Sequence, residues 1–177
     1  MVLFSVDTII QLIIFILPAY VANAAPVFFG KATSKIPLDL KRRFIDRRRL
    51  FGGGKTWPGF FLGILAGLVA ATITSQFVSI YPSKRMHIFV GLLLAIGTMC
   101  GDALGSFVKR RINIKHGKPA FLLDQLPFFL LAIAFTYPWK PEILDLAGFA
   151  FLLVLTLVLH AGTNILAHRV GLKKVPW

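Results

Sequence analysis

Three stretches of this 177-residue chain contain no Asp, Glu, Lys or Arg and approach or exceed the ~20 residues that an α-helix needs to cross a bilayer. Two further apolar stretches are each interrupted by a single acidic residue. A backbone surrounded by hydrocarbon must satisfy its hydrogen bonds within itself, so stretches of this length and composition predict transmembrane helices. The five predicted spans are 8–29, 57–80, 86–108, 122–139 and 146–167.

The predicted fold class is an all-α integral membrane protein, because 56% hydrophobic residues is too apolar for a soluble domain. We expect one membrane domain, 1–177, with a bundle of five transmembrane helices and two basic cytoplasmic loops, 30–56 and 109–121. No Lys or Arg precedes Lys31, so the first apolar run lacks the basic region of a cleaved signal peptide and favours a retained span. Cys100 is the lone cysteine and fits simple packing.

The basic residues are distributed unevenly, and this asymmetry predicts the orientation of the bundle. The net charge is +13, and seventeen of the twenty Lys and Arg lie in the two loops or after residue 168. Because Lys and Arg accumulate in cytoplasmic loops, the pattern predicts a multi-pass cell-membrane protein with its N-terminus outside and its C-terminus in the cytoplasm. Cations at a membrane edge suit anionic lipid headgroups or a phosphate-rich substrate, and no nucleic-acid partner is expected.

Asp102 and Asp124 are the acidic residues inside the apolar stretches, and an acid near hydrocarbon is by default a functional site. On a continuous helix Asp102, Ser106 and Lys109 share one face, since they lie at i, i+4 and i+7. Mg²⁺ is commonly held by one or two carboxylates together with substrate phosphates, so the two acids predict a magnesium site, and a two-metal arrangement is also conceivable. The structural alternative is a carboxylate paired with Lys or Arg that clamps the third and fourth spans.

The first loop carries the glycine-rich segment Gly53-Gly54-Lys55-Thr56. Backbone amides of such a segment can surround an anion, and Lys55 adds a positive charge. The segment does not match a Walker A loop, whose first glycine would fall at Arg49. The alternative is a flexible turn into the second span with Lys55 extending toward the membrane surface.

Several other polar residues have competing interpretations. The basic block 41–49 fits binding to anionic headgroups, and Asp46 within it is expected to be an ion-pair partner rather than a metal ligand. Asn23 could bind a ligand or only another helix. Three polar residues recur at helical spacing in the last span and are expected to make a helix contact, since a zinc site would need further ligands. They are His160, Asn164 and His168.

Two segments resemble the motifs of the CTP-dependent lipid cytidylyltransferases, and their likeness is greatest to the archaeal CDP-archaeol synthases. The first is Gly53-Gly54-Lys55-Thr56-Trp57-Pro58-Gly59-Phe60, and the second runs from Gly101-Asp102 through Ser106 and Lys109-Arg110 to Asp124. Asp124-Gln125-Leu126 is similar to the archaeal branch, whereas bacterial CDP-diacylglycerol synthases typically have Asp-Arg there. The chain departs from the family at Arg47, where a glycine is usual.

The resemblance implies transfer of CMP from CTP to 2,3-bis-O-geranylgeranylglycerol 1-phosphate, giving CDP-archaeol and pyrophosphate, with Mg²⁺ as the cofactor. The expected partners are CTP, this isoprenoid lipid phosphate and the bilayer. The expected catalytic residues are Asp102, Asp124 and Lys109, with both aspartates as metal ligands. The expected nucleotide- and phosphate-binding residues are Gly53, Gly54, Lys55, Thr56, Ser106, Lys109, Arg110 and Arg111; further candidates are Asn23, Asp46 and Gln125.

Three alternatives remain open at the level of sequence. The same reaction on phosphatidate would make the chain a CDP-diacylglycerol synthase, because apolar grooves that read lipid chains look alike in composition. An ion-coupled transporter could use the two aspartates as ion sites, but transporters usually show internal repeats and midplane sites, whereas these acids lie at one edge. A membrane protein that binds anionic lipid without turnover is the third alternative.

Overall fold

Five α-helices build the computed structural model, which describes residues 5–29, 36–115, 118, 120 and 122–169, with the side chains of 164, 166 and 167 left out. Lys31, Lys35, His116 and the tail from 170 onward, including Lys173 and Lys174, lie outside the described residues. No strand occurs within the described ranges, although two isolated β-bridges join parts of the first loop. The helices are α1 (Val6–Phe29), α2 (Trp57–Thr74), α3 (Lys84–Arg111), α4 (Leu126–Thr136) and α5 (Leu146–Arg169).

Short polar residues mark where these helices begin. The Thr56 hydroxyl accepts a hydrogen bond from the Gly59 amide at 3.2 Å and caps α2. Ser83 caps α3 in the same way, with its hydroxyl 3.2 Å from the Met86 amide. These caps satisfy amides that have no partner within the helix. The last turn of α3 contains three cations, which the negative end of the helix dipole favours.

Two of the predicted spans are longer than the helices that form. Residues 57–80 were expected to be helical, but α2 ends at Thr74, where the Thr74 hydroxyl donates to the Ala70 carbonyl at 3.0 Å and that of Ser75 to Thr72 at 2.7 Å. Such side-chain bonds compete with the helical ladder. The stretch 122–139 contains only 11 residues of α-helix, in α4, followed by the 3₁₀ turn Tyr137–Trp139.

Prolines account for the short α4. Pro127 lies in the first turn of α4, where the missing N–H costs little, and Pro138 falls in the 3₁₀ turn that ends it. Among the described residues, four helices are long and apolar enough to cross a membrane, and α4 with its 3₁₀ turn is a shorter apolar segment. A prediction based on hydropathy misses this difference because apolar composition reports solvent preference and not hydrogen bonding.

Small residues bring α3 and α4 into backbone contact. Gly97, Gly101 and Gly105 form a stripe along α3, and a Cβ at Gly97 would lie 2.5 Å from the Leu131 carbonyl oxygen. A Cβ at Gly105 would lie 2.5 Å from the carbonyl oxygen of Leu123. Helices in membranes commonly pack through such small residues, since lipid offers no hydrophobic drive for association. The stripe seats α4 and the turn before it directly on α3.

A matching stripe on α2 packs against α1 and α3. Gly63 and Gly67 of α2 are buried, and a Cβ at either would lie 2.8 Å from a carbonyl oxygen of α1. The buried core between the helices contains Leu12, Ile16, Leu94, Phe129 and Leu152. The antiparallel order of the helices gathers the C-terminal end of α3, the start of α2 and the turn before α4 at one end of the bundle.

Candidate functional site

A cavity of about 140 Å³ lies at this end of the bundle. Its lining combines the first loop, the C-terminal half of α3 and the turn before α4, which are distant in sequence. The lining residues are Phe51, Gly54, Lys55, Asp102, Ser106, Lys109, Arg110, Leu123 and Asp124. Seven of the expected site residues, Gly54 and six others, therefore line one cavity.

Two carboxylate–ammonium pairs lie in the cavity. The Lys55 ammonium donates to Asp102 Oδ2, and the Lys109 ammonium donates to Asp124 Oδ1. The four side chains are between 13% and 30% exposed, so all are largely withdrawn from water. Asp124 Oδ2 also accepts from the Ala120 amide at 2.9 Å. Partly buried charges need such partners, because desolvating an unpaired charge is costly.

One face of α3 supplies the cavity with an acid, a hydroxyl and an ammonium. The helix is continuous to Arg111, and Asp102, Ser106 and Lys109 all line the cavity, as their spacing predicts. The helix extends nine residues beyond Asp102 and ends three residues after the predicted end of the span at 108. Ser106 is buried. A ligand in the cavity would therefore meet three chemically different groups along a single helix.

Arg110 adds a third cation. Its guanidinium lines the cavity, and its buried Nε donates no hydrogen bond to any group in the described part of the chain. A buried donor without a partner is costly in a folded protein unless a ligand or water completes its bonding. Together with Lys55 and Lys109, this guanidinium makes the cavity suited to an anion with several negative oxygens.

Arg111 has a different position. Its guanidinium donates to Asp46 Oδ1 at 2.9 Å and to the Arg49 carbonyl at 2.7 Å, and it lies over the Phe107 ring at 4.7 Å from the centroid. Arg48 in turn donates to the Arg111 carbonyl at 2.7 Å. These contacts attach the first loop to the end of α3. Asp46 is thus an ion-pair partner, as the sequence suggested, and neither Arg111 nor Asp46 lines the cavity.

The remaining expected residues do not line the cavity. Thr56 caps α2, and Gly53 lies in the turn before Gly54. Gln125 is buried, and its Oε1 accepts no hydrogen bond from the described residues. Asn23 is half-buried in α1. Arg47, where the family usually has glycine, has a φ of 62°, so a non-glycine residue occupies a left-handed conformation that glycine would adopt without strain.

Sequence reasoning missed Asp39, the best-bonded acid of the first loop. Its side chain is fully buried and accepts from the amides of Lys41, Phe51 and Gly52, at 3.0, 3.2 and 3.0 Å, and from both Nε and Nη2 of Arg49. Burial raises the pKa of Asp39, but the Arg49 guanidinium and the three amides outweigh that effect and hold it below its usual value. The one available signal was an isolated acid in Leu38-Asp39-Leu40 ahead of a basic block.

A larger cavity of about 670 Å³ opens at the opposite end of the bundle. Its lining includes Tyr81, Trp139, Lys140 and Glu142. The Lys140 ammonium is bonded to the Leu144 carbonyl at 3.1 Å, and no cluster of charged groups comparable to the smaller cavity occurs there among the described residues. Chemistry, and not volume, identifies the smaller cavity as the candidate site.

The donor set of the smaller cavity fits a magnesium ion shared with a phosphorylated ligand. Within the described ranges no three His, Cys, Asp or Glu side chains converge as a group that could hold a metal. Two carboxylates, Asp102 and Asp124, do line the space. Mg²⁺ is typically held by one or two carboxylates with the rest of its shell from waters and phosphate oxygens.

Comparison with known proteins agrees with the geometry. The family described as CarS-like, CDP-archaeol synthase, matches residues 5–177. A CDP-archaeol synthase of Pyrococcus abyssi is 44% identical over 164 residues, which cover 92% of this chain and 95% of that protein. The corresponding protein of Thermococcus kodakarensis is 45% identical, with 92% and 93% covered. That of Methanocaldococcus jannaschii is 41% identical, with 92% and 94% covered.

A solved structure, of an intramembrane enzyme for archaeal membrane lipid biosynthesis, has a similar fold. Its TM-score is 0.74 at 36% identity, with 86% of this chain and 92% of that chain covered. Together with the long apolar helices, this likeness identifies a multi-pass membrane protein. Since the family match spans nearly the entire sequence and the relatives are covered almost end to end, the chain belongs to the CDP-archaeol synthase family.

Proposed function

We propose that the chain transfers CMP from CTP to 2,3-bis-O-geranylgeranylglycerol 1-phosphate, giving CDP-archaeol and pyrophosphate. A phosphate oxygen of the lipid attacks the α-phosphorus of CTP, and the bond from that phosphorus to the oxygen bridging the α- and β-phosphates breaks. Pyrophosphate leaves with the bonding electron pair. The observation that carries the proposal is one cavity lined by three cations and two carboxylates. The relatives of this chain are named CDP-archaeol synthases.

The chemistry needs little from the protein beyond charge and position. The second pKa of a phosphate monoester is roughly 6, so the attacking oxygen is already anionic at neutral pH and requires no catalytic base. Phosphoryl-type transfers are accelerated mainly by alignment of the reactants and by stabilisation of charge on the transferred and leaving groups. No His lines the cavity among the described residues, and this chemistry does not require Ser106 to act as a nucleophile or base.

Lys55, Lys109 and Arg110 would bind the triphosphate of CTP. Their charge-assisted hydrogen bonds would neutralise the developing charge of pyrophosphate. Each lysine is paired with an aspartate in the structure, so the triphosphate would take over both ammonium groups. The carboxylates of Asp102 and Asp124 would then be left to hold Mg²⁺, which neutralises phosphate oxygens when bound.

The membrane arrangement supports this assignment. We propose five spans, with the short α4 as the fourth, the N-terminus outside and the cavity at the cytoplasmic surface. The two basic loops lie at the cavity end of the bundle, in agreement with the tendency of Lys and Arg to stay in the cytoplasm. A lipid held between helices would present its headgroup where CTP is available.

The test is release of labelled pyrophosphate from CTP by the purified full chain in detergent. The isoprenoid lipid phosphate and a diacyl phosphatidate are compared as acceptors, with a reaction that lacks lipid as the control. Release that depends on the isoprenoid acceptor supports the proposal, and equal or greater use of phosphatidate would replace it with a CDP-diacylglycerol synthase activity. Absence of release with both acceptors would overturn the enzymatic function.

A further inference from the structure

We propose that Asp39 is a positioning residue for CTP binding, which fixes the segment 51–55 in the conformation that directs Lys55 into the cavity. Asp39 lies in the first loop, 63 residues before Asp102 in sequence, and does not line the cavity itself. The inference rests on the proposed function, because it names a residue that serves the same nucleotide site.

The first observation is that Leu38 and Asp39 form hydrogen bonds with both ends of the segment 51–55. The Asp39 carboxylate accepts from the amides of Phe51 and Gly52, and the Leu38 amide donates to the Lys55 carbonyl at 2.7 Å. Phe51 and Lys55 both line the cavity. A shift of Asp39 would therefore move the cavity lining at two points.

The second observation is that the backbone around Asp39 adopts conformations that need external support. Leu40 and Lys41 have φ of 46° and 64°, and Gly52 has a φ of 92°. Left-handed conformations of non-glycine residues persist only where surrounding contacts enforce them. The hydrogen bond from the Lys41 amide to Asp39 supplies that support; Gly52 adopts its φ without strain, and the bond from its amide holds it against the same carboxylate.

The third observation is the completeness of the bonding. Arg49 neutralises the buried carboxylate in a bidentate pair, and three amides also donate to its two oxygens. A carboxylate bonded in this way is rigid, because each oxygen is fixed by several donors. Asparagine has the same shape, but its NH₂ group would face N–H donors on one side, so the Asp39→Asn variant would release part of the segment.

The experiment compares Asp39→Asn with Asp145→Asn in the purified full chain. Asp145 is a matched control, because its carboxylate accepts from the Gly148 amide at 2.7 Å at the start of α5, away from the cavity. We expect Asp39→Asn to raise the KM for CTP about tenfold or more, the order expected for losing a charged hydrogen bond, while the KM for the lipid phosphate stays unchanged. Asp145→Asn should leave both constants at the wild-type values.

A second variant perturbs the conformation of the segment 51–55 without removing a charge. Gly52→Ala forces an L-residue into a φ of 92° and should also raise the KM for CTP. Gly162→Ala is its control, because no described atom lies within 4 Å of a Cβ built at Gly162. Trypsin provides a separate readout of the loop: the basic block 41–49 should be cleaved faster in Asp39→Asn and Gly52→Ala than in either control.

The outcomes separate the possible explanations. A folded Asp39→Asn protein with the wild-type KM for CTP overturns the inference, and so does a lower active fraction with both KM values unchanged, which indicates structural damage alone. If Asp39→Asn does not fold, Gly52→Ala decides by the same criterion. If the wild-type chain transfers no CMP, the proposed function fails, and equilibrium binding of CTP with trypsin protection then tests the role of Asp39 by itself.

Discussion

At the scale of single residues, the site is organised by pairs of opposite charge contributed by different segments. Lys55 reaches Asp102 across 47 positions of sequence, and Lys109 reaches Asp124 across 15. Each pair balances the charge of a partly buried carboxylate and holds that carboxylate in place. The same pairs also connect the first loop to α3 and α3 to the turn before α4, so the structural clamp considered from the sequence and the proposed ligand site involve the same atoms.

Asp102→Asn and Asp124→Asn are each expected to abolish turnover while the protein stays folded and inserted in the membrane. An amide is a poor magnesium ligand and carries no charge to balance the lysine beside it. The measurement is pyrophosphate release, with Asp145→Asn as the matched control. Normal activity in either variant would remove that aspartate from the metal assignment.

Alanine at Lys55, Lys109 or Arg110 is expected to raise the KM for CTP or to lower kcat. Removing a desolvated cationic partner of a phosphate costs about 2–5 kcal/mol. The control is Lys84→Ala, because Lys84 lies at the opposite end of the bundle and bonds Gln76 at 2.6 Å. If the variants lose only affinity for anionic vesicles and keep their kinetics, these cations bind lipid headgroups instead.

At the scale of secondary structure, the glycine stripe of α3 determines where Asp124 lies. Because Gly97, Gly101 and Gly105 allow the α4 backbone to approach, the turn before α4 reaches Lys109. Larger residues would separate the two helices and with them the two halves of the cavity. The position of α4 therefore matters more for the site than its length.

Gly101→Val is expected to lower the free energy of unfolding by at least about 1–3 kcal/mol. The valine side chain would clash with the backbone at Pro127 and Phe128. The free energy of unfolding in detergent would measure the loss, and turnover should fall with it because Asp124 moves away from Lys109. Gly162→Val is the control on a helix surface without neighbours among the described residues. Equal stability of the two variants would contradict the close packing of α3 on α4.

At the scale of the whole molecule, the proposed function depends on how many helices cross the membrane. Four helices are long enough to span a bilayer, and α4 with its 3₁₀ turn is shorter. If α4 crosses, the loop after α3 and the loop after α4 lie on opposite sides of the membrane. If it does not, the two loops share a side and the orientation inferred from the charges fails.

Single cysteines in a Cys100→Ala background test this arrangement with an impermeant thiol reagent. Ile45→Cys and Lys115→Cys should react only from the cytoplasmic side, and Phe77→Cys and Glu142→Cys only from outside. All four positions are exposed, with Ile45 at 91% and Phe77 at 81%. Labelling of positions 115 and 142 from the same side would show that α4 does not cross.

The helical membrane fold was predictable from local sequence, because the length of each apolar run is a property of that run alone. It also placed Asp102, Ser106 and Lys109 on one face, since helical periodicity needs no knowledge of neighbours. The span predicted over 122–139 was too long for α4, because hydropathy does not report where Pro127 and Pro138 limit the helix. Three contacts could not be predicted from any local pattern: Lys55 with Asp102, Arg111 with Asp46, and Asp39 with the glycine turn. They join segments whose relative positions depend on how the helices pack.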